Sequence, residues 1–242
     1  MDLQPPIRNR YFSGELLDAD DFTAEQEYHV GKRRLLNRTA VGVGVLCGLE
    51  VAATPDGELK VEPGVALDHY GREIVVGSPQ KVDPRRLTDD AGLAIPAEGS
   101  RQMTLYLCYA ESGSGAEPAP GSEARQERIV EGFTMQVREG RPQAAVALSD
   151  RQREAIFPAA PHREFDRRAA ACAALTSPCA IPDEACVVLA TVTLLADGRV
   201  EVDECAGRVQ FYSNAQLFDL IMSLAEQVDR LRPKGRAKAL AT

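Results

Sequence analysis

Residues 10–51 read RYFSGELLDADDFTAEQEYHVGKRRLLNRTAVGVGVLCGLEV, an aromatic turn followed by a helix and then a strand punctuated by glycine. Asp18 is placed to cap the first helical turn, and Leu17 and Phe22 occupy the two positions of a hydrophobic staple. Asp20, Asp21 and Glu25 put negative charge near the start, and Lys32, Arg33, Arg34 and Arg38 put positive charge near the end. Both suit the helix dipole. The expected helix covers 18–38. Gly42, Gly44 and Gly48 then interrupt a run of valine and leucine, as in a buried strand with a bulge or a close backbone approach. Capping, helix charge and a solvated face account for its polar residues, so the stretch reads as a docking or scaffolding element rather than a catalytic one.

Working outward, residues 53–57 carry turn chemistry (Ala53, Thr54, Pro55, Asp56, Gly57) between two strand-like runs. Leu59, Val61, Val65 and Leu67 alternate, a turn falls at His69, Tyr70 and Gly71, and the chain returns through Ile74, Val75 and Val76. Residues 40–82 are therefore expected to form one compact antiparallel meander, and 83–100 a loop. A second strand group starts at 103–109. Residues 111–127, rich in Gly, Ser, Pro and Glu, read as a long exposed loop. Residues 128–137 resume the strand pattern, and 149–170 read as helical up to Pro158 with Ser149 as cap. Pro178 and Pro182 break the segment from Cys172 to Cys186. Two last strands, 187–195 and 200–202, flank a turn at Ala196, Asp197, Gly198 and Arg199. Leu217, Ile221, Leu224, Val228 and Leu231 then follow a heptad seam, broadened by Leu220 and stopped at Pro233, before a basic tail with Lys234, Arg236 and Lys238. Two heptads are too short for a stable isolated coiled coil, so the stripe fits equally an amphipathic helix packed on its own domain and a self-association helix. The expected fold is mainly β with flanking helices (α+β): an antiparallel β-sandwich or barrel-like core, an N-terminal docking helix and a C-terminal amphipathic heptad helix. The expected parts are 1–40 (arm and helix), 41–100 (meander), 101–212 (second β unit with loop 111–127 and cysteine segment 172–186) and 213–242 (helix and tail).

The 242 residues suffice for one large or two small domains, with 44% hydrophobic residues but only 5% aromatic and no tryptophan. A net charge of -8 argues against a general nucleic-acid binder, which needs clustered Lys and Arg. No apolar run approaches the ~20 residues that span a bilayer, and the first ten residues have no signal-peptide core. The glycines of Gly42-Val43-Gly44-Val45-Leu46-Cys47-Gly48 superficially resemble a dinucleotide fingerprint, but the third is one position late and a strand follows where a phosphate needs a helix N-terminus. His29, His69 and His162 lie far apart without nucleophile partners. The pairs Asp20/Asp21 and Asp89/Asp90 are adjacent residues and point in different directions. No catalytic residue is expected.

Of the six cysteines, Cys47 and Cys108 sit in apolar runs and read as small buried hydrophobes. Cys172, Cys179, Cys186 and Cys205 are the candidate metal set, a structural zinc being the one cofactor to weigh. Their gaps of six, six and eighteen residues lack the short knuckle spacing of zinc sites, which leaves free thiols as the default and a disulfide as the other option.

Several of these blocks resemble a known family. Tyr11-Phe12-Ser13-Gly14-Glu15-Leu16-Leu17, Asp21-Phe22, Glu25-Gln26-Glu27-Tyr28, Arg34-Leu35-Leu36-Asn37-Arg38 and the glycine-spaced run from Gly42 to Val51 resemble the N-terminal signature of phage-tail-like proteins encoded with bacterial contractile injection systems. Val61-Glu62-Pro63-Gly64-Val65-Ala66-Leu67-Asp68 with Gly71-Arg72-Glu73-Ile74 is similar to repeats of tail-fibre and baseplate proteins, and blocks at 109–111, 128–133 and 187–192 extend the similarity over most of residues 10–212. The family carries bulky aromatics where this chain has Val43 and Cys186-Val187. The resemblance implies a non-enzymatic assembly component of a contractile tail-like particle, at the baseplate or fibre attachment, with other particle subunits and copies of itself as partners. It implies assembly in the cytoplasm and release with an extracellular particle. Tyr11, Phe12, Phe22, Tyr28, Leu35 and Leu36 are the expected core or interface anchors, and Leu217, Ile221, Leu224, Val228 and Leu231 the expected oligomerisation residues. A receptor- or glycan-binding tip module is the alternative, with Tyr70, Phe157 and Phe165 as its loop aromatics. A carried effector would need catalytic motifs, which the sequence lacks.

Overall fold

A computed structural model describes residues 6–85, 100–114, 128–142, 150–158, 166, 168–170 and 185–231. The protein is mainly β, with antiparallel sheets and a helix near the N-terminus. It divides into two units, Met1–Val209 and Gln210–Thr242.

In the first unit, helix α1 (Ala19–Leu36) starts where its cap demands. Asp18 Oδ1 accepts from the Asp20 and Asp21 backbone N–H groups at 3.0 and 3.2 Å, while Asp21 Oδ2 accepts from Asp18 N–H at 3.1 Å. This reciprocal box satisfies donors that an uncapped first turn leaves open. The helix passes into one π-helical turn, Asn37–Val41, and then into strand β1 (Gly44–Gly48).

The following strands correct the single-meander expectation. They are β2 (Val51–Ala53), β3 (Leu59–Val61), β4 (Gly64–Leu67), β5 (Glu73–Val76) and β6 (Gln80–Val82). They lie in two interlaced three-stranded sheets, ordered β1-β4-β5 and β2-β3-β6. The run expected as one long strand from Leu59 breaks at Glu62–Pro63, because proline cannot donate to a ladder. The glycine spacing marks the crossing. A Cβ at Gly48 would lie 2.1 Å from Pro63 O, one at Gly44 would lie 2.5 Å from Val209 O, and a register shift between Val45 and Cys47 supplies the bulge. Leu49 takes a left-handed backbone (φ 59°) with its side chain wholly buried. Arg208 fastens this corner by donating to Gly48 O and Leu49 O at 2.9 and 2.8 Å, and Glu204 accepts from Val51 N–H at 2.7 Å.

A third sheet, ordered β10-β9-β7-β8, is built from β7 (Arg101–Ser114), β8 (Arg128–Glu139), β9 (Val187–Leu194) and β10 (Val200–Asp203). β7 and β8 pair from Met103 opposite Glu139 to Ser114 opposite Arg128. Residues 111–114 are thus strand, not loop, and the rest of the expected loop lies outside the described residues. Helix α2 (Asp150–Ile156) matches the helical reading; its expected cap Ser149 lies outside the described residues. The three sheets share one aliphatic core, including Leu49, Leu59, Ile74, Met103, Leu105, Leu189 and Val192. Among the described residues its buried members include no aromatic ring, while Tyr109 and Phe133 pack at its margin.

The cysteine expectations need correcting. Cys108 is buried, but it is disulfide-bonded to Cys186, 78 residues later, with Cα atoms 4.4 Å apart. The β7–β9 ladder pairs Leu107 with Val187, so the next step brings these two cysteines opposite each other. With its sulfur bonded, Cys186 is no zinc ligand, and the four-cysteine set does not stand; Cys172 and Cys179 lie outside the described residues. Cys205 is a free, exposed thiol. Cys47 is also free and exposed, not buried, because the bulge turns it away from the core.

In the second unit, helix α3 (Asn214–Leu231) has its own capping box: Gln216 N–H donates to Ser213 Oγ at 3.2 Å and Ser213 N–H donates to Gln216 Oε1 at 2.8 Å.

Candidate docking surfaces

The C-terminal end of α1 is fixed to the β4–β5 turn by polar contacts. Asn37 Nδ2 donates to Gly71 O and Glu73 Oε1 at 3.0 and 2.9 Å, and Arg33 pairs with Glu73 at 2.8 Å. Gly71 (φ 79°) is required here, since a Cβ would lie 2.1 Å from Arg34 O. The turn closes on Asp68, which is wholly buried and accepts from Tyr70 N–H, Arg72 N–H and Arg72 Nε at 2.9, 2.9 and 2.6 Å. A buried carboxylate is tolerated when its lone pairs are filled in this way. Burial of His69, in the same turn, lowers its pKa despite the opposing charge of Asp68.

Arginines and tyrosines then stack across the junction. The Arg72 guanidinium lies 4.8 Å from the Tyr70 ring centroid and 4.4 Å from that of Tyr109, and Arg34 lies 5.9 Å from Tyr109. Tyr109 Oη donates to Glu111 Oε1 at 2.7 Å, and Arg34 reaches the same carboxylate at 3.2 Å. The Tyr109 bond, then Arg34, holds Glu111 below the usual carboxylate range; burial, then the Glu111 bond, pushes the Tyr109 hydroxyl up. A cleft of about 270 Å³ opens beside this stack, lined by Gly31, Arg34, Leu35, Arg38, Tyr70 and Arg72.

Of the expected anchors, none is fully buried, either on α1 or in the segment before it. Tyr28 and Leu35 are half-buried; Tyr11, Phe12, Phe22 and Leu36 are exposed, Phe12 to 70%. The helix is held by its polar C-terminal end, which leaves Phe22 and Leu36 outward. Of the tip-module aromatics, Tyr70 stacks on Arg72, Phe157 is exposed, and Phe165 lies outside the described residues. His29 is exposed and meets Glu25 at 3.0 Å; His162, Asp89 and Asp90 lie outside the described residues. The glycine run is strand β1 paired with β4, so no helix N-terminus follows it.

On α3, Leu217, Ile221, Leu224, Val228 and Leu231 are all exposed, as are Phe218, Leu220 and Met222 beside them. Sequence reasoning noted this face but missed the cleft, whose arginines and tyrosine are contributed by α1, the π-helical turn and the β4–β5 turn.

No family model matches the chain, and no curated protein matches it significantly. Among solved structures the chain is similar to a chain of the baseplate complex from the type VI secretion system, at 11% identity and a TM-score of 0.44, over 97% of this chain and 72% of that one. It is similar also to a chain of the type VI TssK-TssF-TssG baseplate subcomplex, at 12% identity, a TM-score of 0.40 and 94% and 72% coverage. Crystalline TssK is a third, at 13% identity, a TM-score of 0.35 and 96% and 51% coverage. The structural neighbours are thus type VI baseplate components. Likeness at these values carries no functional weight of its own.

Proposed function

We propose that the protein is a non-enzymatic assembly component of a contractile, phage-tail-like particle, acting at the baseplate or at fibre attachment. The carrying observation is α3, an 18-residue helix whose heptad positions are all exposed. A helix of this length draws most of its stability from packing an apolar face. With Leu217, Leu224 and Leu231 alternating with β-branched Ile221 and Val228, that face has the pattern of a parallel coiled-coil seam. Its occupant is a second copy of the chain, and α1 with its exposed aromatics offers a separate surface to other subunits. The sequence resemblance over residues 10–212 supports the particle assignment. The Cys108–Cys186 disulfide supports release from the cytoplasm, since such bonds persist in oxidising surroundings.

The test is gradient sedimentation of purified tail-like particles from a strain producing the tagged chain. Wild-type protein is expected in the particle fraction, and protein carrying Leu217→Asp and Leu224→Asp is expected to be depleted from it. Wild-type protein found only among small soluble species would overturn the proposal.

A further inference from the structure

We infer that the cleft between α1 and the β4–β5 turn binds a carboxylate side chain presented by an acidic segment of a partner protein. The inference deepens the assembly reading and rests on it only for the source of the carboxylate.

Its central group is Arg72. The side chain is held by three contacts, with Asp68 at Nε and with the Tyr70 and Tyr109 rings at the guanidinium. Its two Nη groups have no hydrogen-bond partner among the described residues, although the side chain is only 24% exposed. A guanidinium held in this way presents a pre-oriented fork, which matches the two oxygens of a carboxylate. Arg34 and Arg38 line the same cleft, and among the described residues no carboxylate lines it. Gly31 adds to the opening. Glycine inside a helix costs about 1 kcal/mol relative to alanine, and a Cβ there would meet no atom within 4 Å, so packing does not demand it.

The neighbouring contacts favour a carboxylate over a phosphate. Both anions already seated on this cluster, Asp68 and Glu111, are carboxylates. A doubly charged phosphate would meet their repulsion at twice the strength that a singly charged group meets. Leu35 and the Tyr70 ring offer apolar contact to the methylenes of a glutamate. The volume admits a side chain rather than a nucleotide.

The test is titration of the full-length protein with a fluorescein-labelled, N-acetylated hexaglutamate peptide, followed by anisotropy. Hexalysine and inorganic phosphate serve as competitors. The inference expects a Kd below about 1 mM, weakened about tenfold or more by Arg72→Lys, which keeps the charge but removes the fork, and by Arg34→Gln. The Tyr70 ring resonances should shift with the peptide. Absence of binding at millimolar peptide, equal binding by both variants, or displacement by phosphate at equal concentration would overturn it. Thermal melts establish that the variants fold; if Arg72→Lys does not, Arg34→Gln, whose side chain is a third exposed, decides. Peptide binding with no particle association would leave the site standing and sink the assembly reading, and the reverse result would do the opposite.

Discussion

The aliphatic core of the first unit and the apolar face of α3 are built from the same residue types and meet opposite fates. Leu105 and Leu189 are fully buried where three sheets converge, whereas Leu224 and Leu231 on α3 are 64% and 82% exposed. Burying a leucine side chain is worth about 1.5–3 kcal/mol. The first group stabilises the fold within one chain, and on the proposed reading the second is apolar surface whose stabilising value is realised on association. On that reading the difference separates residues that make the protein fold from residues proposed to make it assemble.

The sharpest way to break this comparison is to truncate one leucine of each kind. Leu105→Ala should destabilise the protein by about 2–5 kcal/mol in urea titration, with no specific effect on association. Leu224→Ala should leave monomer stability within about 0.5 kcal/mol and weaken self-association. Equal effects of the two would erase the distinction.

A smaller effect tests whether the junction of α1 with the body belongs to the folding side. Asp68→Ala removes the acceptor of three hydrogen bonds and should cost about 2–4 kcal/mol, less than a fully enclosed pair because Arg72 keeps some contact with solvent. Melting of this variant should also release the Arg72 fork and abolish peptide binding in the cleft. Smaller again, Asp18→Ala should cost about 1 kcal/mol and fray the first turn of α1, which hydrogen exchange of the Asp20 and Asp21 amides would report.

What sequence could disclose divides along the same line. The α1 cap and the α3 heptad were legible because each depends on residues a few positions apart. Strand positions were legible too, through alternation. The partition of β1–β6 between two sheets was not, because a strand shows the same period in either sheet and only contacts such as Gly48 against Pro63 decide the crossing. The Cys108–Cys186 bond was hidden by its 78-residue separation and by the apolar run around Cys108. The cleft was hidden because Arg34, Arg38, Tyr70 and Arg72 are each unremarkable alone, and the fold brings them together.

The smallest predicted effect concerns pH. His69 has a folded pKa below its ordinary 6.5 because burial disfavours the imidazolium. The unfolded chain therefore binds more protons in that window, and stability rises with pH there. The contribution is complete above the unfolded pKa and is lost as pH falls through the folded one. His69→Gln should flatten the fall in melting temperature between pH 7 and pH 5, measured by circular dichroism; an unchanged slope would remove His69 from the account.

The most direct test of the central claim is the solution mass of the purified protein by light scattering, with and without residues 213–242. The account predicts a species of at least twice the 26.2 kDa chain mass that falls to monomer on truncation. A monomer in both cases would contradict it and remove the second copy as the occupant of the α3 face.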